Sequence, residues 1–524
     1  MPGVIRARFR PVNHGKNAAI ALRADAANAL IDHRYETKRG MWWLGSATAV
    51  ARAIDVGSSL VLLALLTREE MGTAALVLST GAIVEAASGM GIGHALIQSQ
   101  TLTKSEEHSL FWLTSAIGLG LGLVLVAIAP LVAQEYGLPL LLPMTALTGL
   151  KHLFVGVAVV PQQLLNKQLK FRELGAIQAL STFFEALAKI ALAALGFGAW
   201  SSVLSNVLRG VVLLVLVLGF SGFRPRLHFS WTESKGYLRF GTRIAGSSLL
   251  YHAYKNADYF LVGRLLGVDV LGVYRVAFDL AMQPLEVIIL LVNRVTYPIY
   301  VKLAHDAAAL KNALLRSTRS LILLGAPAVA FLFLAAEDVL ALINQGRWGG
   351  AAPALRVLVW GGLLRGGAHL FPQVYIASGR PHYALVDSLT SLTVLVSGFA
   401  LGLTLFPELG MMSVCWAWLA AYPLLLCVAL TLTRRITPIG TTEYLRAFLP
   451  GVAGALVMIA AMYAAIRLGV RQHGHLLAIL GLAAVGIATY AGYLRIALKI
   501  GLRELVPKKQ LAPAPNPEPS ALAR

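Results

Sequence analysis

The stretch YKNADYFLVGRLLGVDVLGVYRVAFDLA, residues 254–281, is rich in Leu, Val, Tyr and Phe, yet it carries Lys255, Asp258, Arg264, Asp269, Arg275 and Asp279. Whether this is membrane decides the fold. A charge at the centre of a spanning helix costs roughly 2.5–3.5 kcal/mol on insertion scales, so such charges face a bundle interior or a wet cavity and mark function. The surroundings answer the first half of the question. Of the 524 residues, 57% are hydrophobic and 13% charged, where an ordinary soluble domain holds about 25% charged residues. Apolar runs near the roughly 20 residues that a spanning helix needs recur along the chain. The reading is an all-α polytopic membrane protein.

Fourteen spans are expected, near 41–66, 71–98, 108–133, 138–165, 174–195, 198–220, 237–263, 269–298, 318–343, 351–377, 382–405, 409–432, 446–468 and 475–499. The net charge of +20 would suggest nucleic acid on a soluble protein. Here the basic residues gather in alternate connections, which is the orientation signal of membrane proteins, and no nucleic-acid partner is expected. The even-numbered connections hold Lys104, then Lys167, Lys170 and Arg172, then Arg224, Arg226, Lys235 and Arg239, then Lys302, Lys311, Arg316 and Arg319, then Arg380, then Arg434 and Arg435. The opposite connections are poorer, Arg467 and Arg471 excepted. Both termini are therefore placed in the cytosol. Residues 1–40 read as a basic cytosolic tail rather than a signal peptide, because charge interrupts their apolar run. Residues 501–524 read as a Pro-rich disordered tail. Cys415 and Cys427 lie in one apolar segment and read as packing residues.

An internal repeat organises the spans. LLTREEMG (65–72) and LLGVDVLG (265–272) share a pattern at an offset of 200, which sets Arg52 on His252, Asp55 on Lys255 and His94 on Arg294. PQQLL (161–165) resembles PQVYI (372–376). Six spans per half give the halves one orientation, so they should be related by a pseudo-twofold axis along the membrane normal, with a path between them. The division is an N-lobe at 41–220, a cytosolic linker at 221–236, a C-lobe at 237–432 and two extra helices within 433–500.

The charges group on faces. Arg275, Asp279, Glu286 and Asn293 fall within about 40° on a helix, and His252, Lys255 and Asp258 within about 120°. Arg365, His369 and Gln373 share a face of the tenth span; Arg52 and Asp55 are three apart in the first; Glu85 lies in the second and Asp387 in the eleventh. Glu185 and Lys189, four apart, read as a helical pair, and Arg264, Asp269 and Arg294 as span-end residues. Taken together the set points to a hydrated cavity. No phosphate loop, catalytic triad or acidic pair of a glycosyltransferase occurs. GMGIGHA (89–95) lies in a span without the strand–turn–helix setting of a dinucleotide site, and the two histidines of HGH (473–475) make no metal site by themselves. An enzyme is not expected.

NADYFLVGRLLGVDVLGVYRVAFDLA (256–281), VPQQLLNKQLKFRELG (160–175) and NRVTYPIYVKLAHD (293–306) resemble the polysaccharide transporter, or oligosaccharide flippase, family of the multidrug/oligosaccharidyl-lipid/polysaccharide exporter superfamily. The resemblance covers roughly residues 41–435. It implies two six-helix lobes around a cavity that opens alternately to each side, and translocation of an oligosaccharide linked to an isoprenoid diphosphate across the bacterial inner membrane for polysaccharide export. Arg52, His252, Lys255, Arg275, Arg365 and His369 would then contact the anionic head group, since guanidinium suits bidentate phosphate contacts. Asp55, Glu85, Asp258, Asp279, Glu286 and Asp387 are the candidates for a coupling cation, proton or sodium; no other cofactor and no metal are expected. Membrane lipids and a polysaccharide polymerase or export machinery are the expected partners of a monomer. Two alternatives stand beside this: a drug or cation exporter of the same superfamily, whose cavity would be dominated by carboxylates, and a membrane scaffold of a polysaccharide assembly complex, whose charges would be structural pairs.

The topology is testable directly. Reporter fusions after residues 235 and 311 should report cytosol and one after 268 the opposite side; the reverse pattern, or an odd number of crossings, contradicts the orientation and the repeat together.

Overall fold

The computed structural model describes residue 40 and residues 43–499, apart from 89–91, 94–95, 97–101 and 345. His94 and the two expected tails, residues 1–39 and 501–524, lie outside the described residues. Those residues contain no strand and fifteen α-helices: α1 (Trp43–Leu65), α2 (Arg68–Ser88), α3 (Lys104–Tyr136), α4 (Leu141–Lys167), α5 (Phe171–Ala194), α6 (Trp200–Ser221), α7 (Trp231–Leu266), α8 (Val268–Leu303), α9 (Ala307–Asn344), α10 (Ala352–Ala368), α11 (Phe371–Ala377), α12 (Pro381–Leu405), α13 (Met411–Arg434), α14 (Thr441–Arg467) and α15 (His475–Ile496). Eleven are long and apolar enough to cross a membrane; α2, α7, α10 and α11 are not among them. This is a multi-pass membrane protein. Each of the fourteen expected spans contains a helix, and the four helices that fall short belong to the second, seventh and tenth spans.

The tenth span departs from a single rod. It breaks between α10 and α11, at His369 and Leu370. Pro372 sits in the first turn of α11; it lacks an N–H, and its ring would clash with the carbonyl four residues back in a continuing helix. The matching Pro161 in the first half stays inside an unbroken α4.

The bundle closes through small residues, as expected where lipid supplies no hydrophobic drive between helices and close contact must do so. α3 and α4 cross backbone to backbone. A Cβ on Gly122 would stand 2.7 Å from Gly149 O, and one on Gly118 would stand 2.5 Å from His152 O. The repeat shows itself in a second crossing. A Cβ on Gly72 would stand 1.9 Å from Val268 O, and one on Gly272 would stand 1.9 Å from Arg68 O. Residues 200 apart thus face each other reciprocally where the starts of α2 and α8 meet.

The connections sort to two ends. At one, Ser105 and Ser109 of α3 donate to Glu233 at 2.8 and 2.9 Å, bonds that hold the Glu233 carboxyl below the usual carboxylate range. There too Trp112 Nε1 donates to Arg226 O at 2.8 Å, Arg380 Nη1 to Arg435 O at 2.6 Å, and Thr437 Oγ1 to Ala307 O at 2.6 Å. All of these lie in or beside even-numbered connections. At the other end Arg68 meets Arg347 O, Arg264 meets Glu135 at 2.5 Å, and Arg471 and His475 meet Asp338 at 2.9 and 3.0 Å, all beside odd-numbered connections. The linker is pinned along α3 rather than hanging free, and α7 already begins at Trp231.

The α3–α4 crossing makes a prediction. Gly122→Leu should cost about 1–3 kcal/mol by overpacking, read as a lower thermal midpoint and lower membrane abundance. The same change at Gly120, where an added Cβ meets nothing within 4 Å, should be neutral.

Candidate functional site

Four helices bring charges into one cluster. Arg52 of α1 lies 3.2 Å from Asp55 on its own helix and 3.1 Å from Glu286 of α8. Lys255 of α7 holds the other Glu286 oxygen at 3.0 Å. Glu286 is thus shared by Arg52 of α1 and Lys255 of α7. Each of these side chains keeps about a third of its surface exposed, so the cluster borders open space rather than dry packing. Arg365 and His369, at the broken end of α10, lie within electrostatic reach of Glu286, and His252 is within reach of Lys255. Of the stripe read over 275–293, Glu286 is the member that meets Arg365 and His369 of the 365–373 face.

Arg365 is the least satisfied member. Only 8% of it is exposed, its guanidinium lies 5.9 Å over the Trp418 ring, and its Nη1 has no hydrogen-bond partner among the described residues. The ring supplies a cation–π contact, and the unused N–H is a donor facing the interior. Tyr251, Tyr254 and Tyr422 stand around it. A cluster of three permanent cations, Arg52, Lys255 and Arg365, against two carboxylates, Asp55 and Glu286, is suited to an anion that brings its own charge into a weakly solvated space.

Other expected residues lie elsewhere. Arg275 and Asp279 pair at 2.6 Å, with the guanidinium 4.9 Å over Tyr259. They line a chamber with Ser59, Glu185, Lys189 and Ser202. Asp258 is fully buried and accepts from Tyr274 Oη at 2.6 Å, Trp418 Nε1 at 3.2 Å and the Tyr259 N–H at 3.0 Å; it ties α7, α8 and α13 together through neutral donors. Asp387 is half-buried near Tyr254, Tyr375 and Tyr422. Glu85 pairs with Lys151 at 2.8 Å.

Lys151 and Arg209 join the intramembrane charges as partners of Glu85 and Glu185. The expected Glu185–Lys189 pair is present at 3.7 Å, but Arg209 lies closer to Glu185, at 3.0 Å. The signal for both missed residues was the one used elsewhere: a lone base inside an apolar span, in TGLKHLF and in NVLRGVV.

A model of the polysaccharide biosynthesis protein family matches residues 61–353. The chain belongs to this family. It is 23% identical over 355 residues to the lipopolysaccharide biosynthesis protein WzxC of Escherichia coli (strain K12), covering 66% of this chain and 71% of the relative. It is 27% identical over 299 residues to the teichuronic acid biosynthesis protein TuaB of Bacillus subtilis (strain 168), with 56% and 62% covered. To the succinoglycan biosynthesis transport protein ExoT of Rhizobium meliloti (strain 1021) it is 27% identical over 301 residues, with 57% and 60% covered. Among solved structures the fold is similar to an inward closed form of the lipid II flippase MurJ, with a TM-score of 0.70 at 14% identity over 87% of this chain and 98% of that one. It is also similar to an inward-facing multidrug resistance transporter, with a TM-score of 0.57 at 17% identity over 74% and 95%. The all-helical fold is therefore similar to that of both solved transporters.

The Arg275–Asp279 pair can be separated from the shared cluster by a double-mutant cycle. Either single Ala variant leaves one charge without its partner; the double variant should be milder than the sum of the singles, with a coupling on the order of 1–3 kcal/mol read from thermal unfolding. Strict additivity would deny the pair a structural role.

Proposed function

We propose that this protein is a flippase that carries a lipid-linked oligosaccharide, joined through an isoprenoid diphosphate, across the bacterial inner membrane. Two lobes, 41–220 and 237–432, rock about the shared cluster and expose it to each side in turn, with fourteen crossings and both termini in the cytosol. The observation that carries this reading is the shared Glu286: one carboxylate held by Arg52 from one half and Lys255 from the other, with the unused Arg365 N–H beside it. A diphosphate or acidic sugar entering there can take over the cations that Glu286 now holds and so loosen the tie between the halves. Guanidinium groups match phosphate oxygens in planar, bidentate fashion. The isoprenoid chain stays in lipid while the head group crosses. The names of the relatives, which place them in polysaccharide biosynthesis and in one case transport, support the same substrate class.

The cluster's chemistry favours this over drug export, which would need carboxylates in excess. For a coupling cation we propose Asp387 first among the six carboxylates. It has no ion-pair partner among the described residues, whereas Asp55, Glu85, Asp279 and Glu286 each meet a base and Asp258 is bonded by neutral donors. The protein acts as a carrier rather than an enzyme, as a monomer that hands its cargo to polymerase or export machinery.

Arg365→Ala should lower surface polysaccharide about tenfold or more, the loss of one charge-assisted hydrogen bond worth roughly 1.5–3 kcal/mol, at wild-type membrane abundance. Arg365→Lys should recover part of it, since it restores the charge without the fork. Normal export by the Ala variant at normal abundance contradicts the proposed role of Arg365 and shifts the assignment to Arg52.

A further inference from the structure

The first helix ends at the rim of the bundle, and the way its end is capped is unusual. The last carbonyls of a helix have no partner within it. Here the Thr67 N–H turns away to Glu70 at 2.8 Å. Three side chains from the second half of the chain reach in to carbonyls at the end of α1 and just past it: Asn344 Nδ2 donates to Ala64 O at 2.7 Å, Arg347 Nη1 to Leu66 O at 2.7 Å, and Trp348 Nε1 to Leu63 O at 2.8 Å. Arg68 answers from the first half, donating through Nε and Nη2 to Arg347 O at 3.0 and 2.6 Å. Trp348 is fully buried. Beside this joint the starts of α2 and α8 meet at Gly72 and Gly272. The chamber lined by Ser59, Met71, Ala74, Arg275 and Asp279 is also lined by Leu63, whose carbonyl accepts from Trp348 in this joint.

We propose that Asn344, Arg347, Trp348 and Arg68 form a latch that holds the outer mouth of the path shut and lets go when that mouth opens. The inference rests on the two-lobe carrier reading given above. Every bond in the latch joins one half of the chain to the other, so separation of the halves at this end must break all of them at once. Every acceptor is a neutral main-chain carbonyl, and none of the donors is committed to a carboxylate by these bonds. Opening therefore exchanges hydrogen bonds with the protein for hydrogen bonds with water at the rim and strands no buried charge. Such an exchange is nearly balanced bond by bond, which makes the joint reversible, while the need to release several bonds together makes it two-state. The Gly72–Gly272 crossing sets how closely the halves approach: any side chain at either position would collide with the opposite main chain.

The test reads access rather than transport, so it survives failure of the substrate assignment. In a Cys427→Ser background, which leaves the buried Cys415 as the other cysteine, Ser59→Cys reports entry into the chamber to a membrane-impermeant thiol reagent. In intact cells the reagent should label Ser59→Cys slowly with the latch intact. Arg347→Ala or Arg68→Ala should accelerate labelling about tenfold, the worth of one or two hydrogen bonds. Gly72→Val, which holds the crossing open, should accelerate it at least as much. Arg356→Ala, which removes a contact to Glu337 at 2.7 Å away from the latch, should leave it unchanged. Labelling of Cys415 separates unfolding from opening. If Arg347→Ala exposes Cys415, the decision passes to Arg347→Lys, which keeps one donor and should label at a rate between wild type and Ala with Cys415 still protected. Wild-type labelling rates in both Arg347→Ala and Arg68→Ala, with Cys415 protected, overturn the latch. Acceleration found only in inverted vesicles overturns its placement at the outer mouth.

Discussion

Lipid cannot solvate an ion, and everything specific about this molecule follows from how its intramembrane charges answer that constraint. A charge buried without a partner is costly, and one whose partner is removed is costlier than the pair ever was. The structure meets this with shared partners. Glu286 holds Arg52 and Lys255 together, Glu185 holds Arg209 and Lys189, and Asp338 holds Arg471 and His475. The last of these ties the loop between α14 and α15 to α9, beside the apolar core that Met458, Met462 and Leu482 share with Leu323, Ala326 and Ala330. Glu286 differs from the other two in tying three helices, α1, α7 and α8, through residues as much as 234 positions apart.

The same constraint explains which helices look least like membrane. α2, α7, α10 and α11 carry Glu85, then His252, Lys255 and Asp258, then Arg365, and in the last case begin at a break. They are not among the eleven; α2 and α7, at 21 and 36 residues, are long enough and fail on composition, while α10 and α11 are the two pieces of the broken span. A helix that lines a polar path exchanges apolar surface for ionisable groups, and its neighbours rather than lipid must cover them. The break at His369 fits this pattern. Irregular backbone at membrane depth is tolerated where it lines a cavity, and this one lies beside Arg365 and Glu286.

Much of this was legible in the sequence, because length, apolarity and helical period act locally. All fourteen span positions meet helices, and the 65–72/265–272 repeat reappears as the Gly72–Gly272 crossing. The i, i+4 spacing of Arg275 and Asp279 was legible from the helical period, and the two side chains pair at 2.6 Å. What could not be read was partnership. Arg52 and Glu286 are 234 residues apart, and no local rule selects Glu286 over Asp258 or Asp387 as its mate. Asp258 read as a cavity carboxylate and sits instead among Tyr274 and Trp418, since a period gives a direction and not what stands there. Nor does any local rule pair Lys151 with Glu85, 66 residues away, or Arg209 with Glu185, 24 away. The capping of α1 by Asn344, Arg347 and Trp348 had no sequence signature, because its acceptors are main-chain carbonyls.

The central claim is that the shared cluster serves a lipid-linked sugar that must leave the cytosolic leaflet. The most direct measurement is the lipid-linked oligosaccharide content of each leaflet after depletion of the protein, by extraction and mass spectrometry combined with access of a glycan-modifying enzyme from one side. The account predicts that an isoprenoid-diphosphate oligosaccharide builds up on the cytosolic side while its outer pool and the exported polymer fall. Unchanged leaflet pools after depletion, with polymer lost or not, would contradict it.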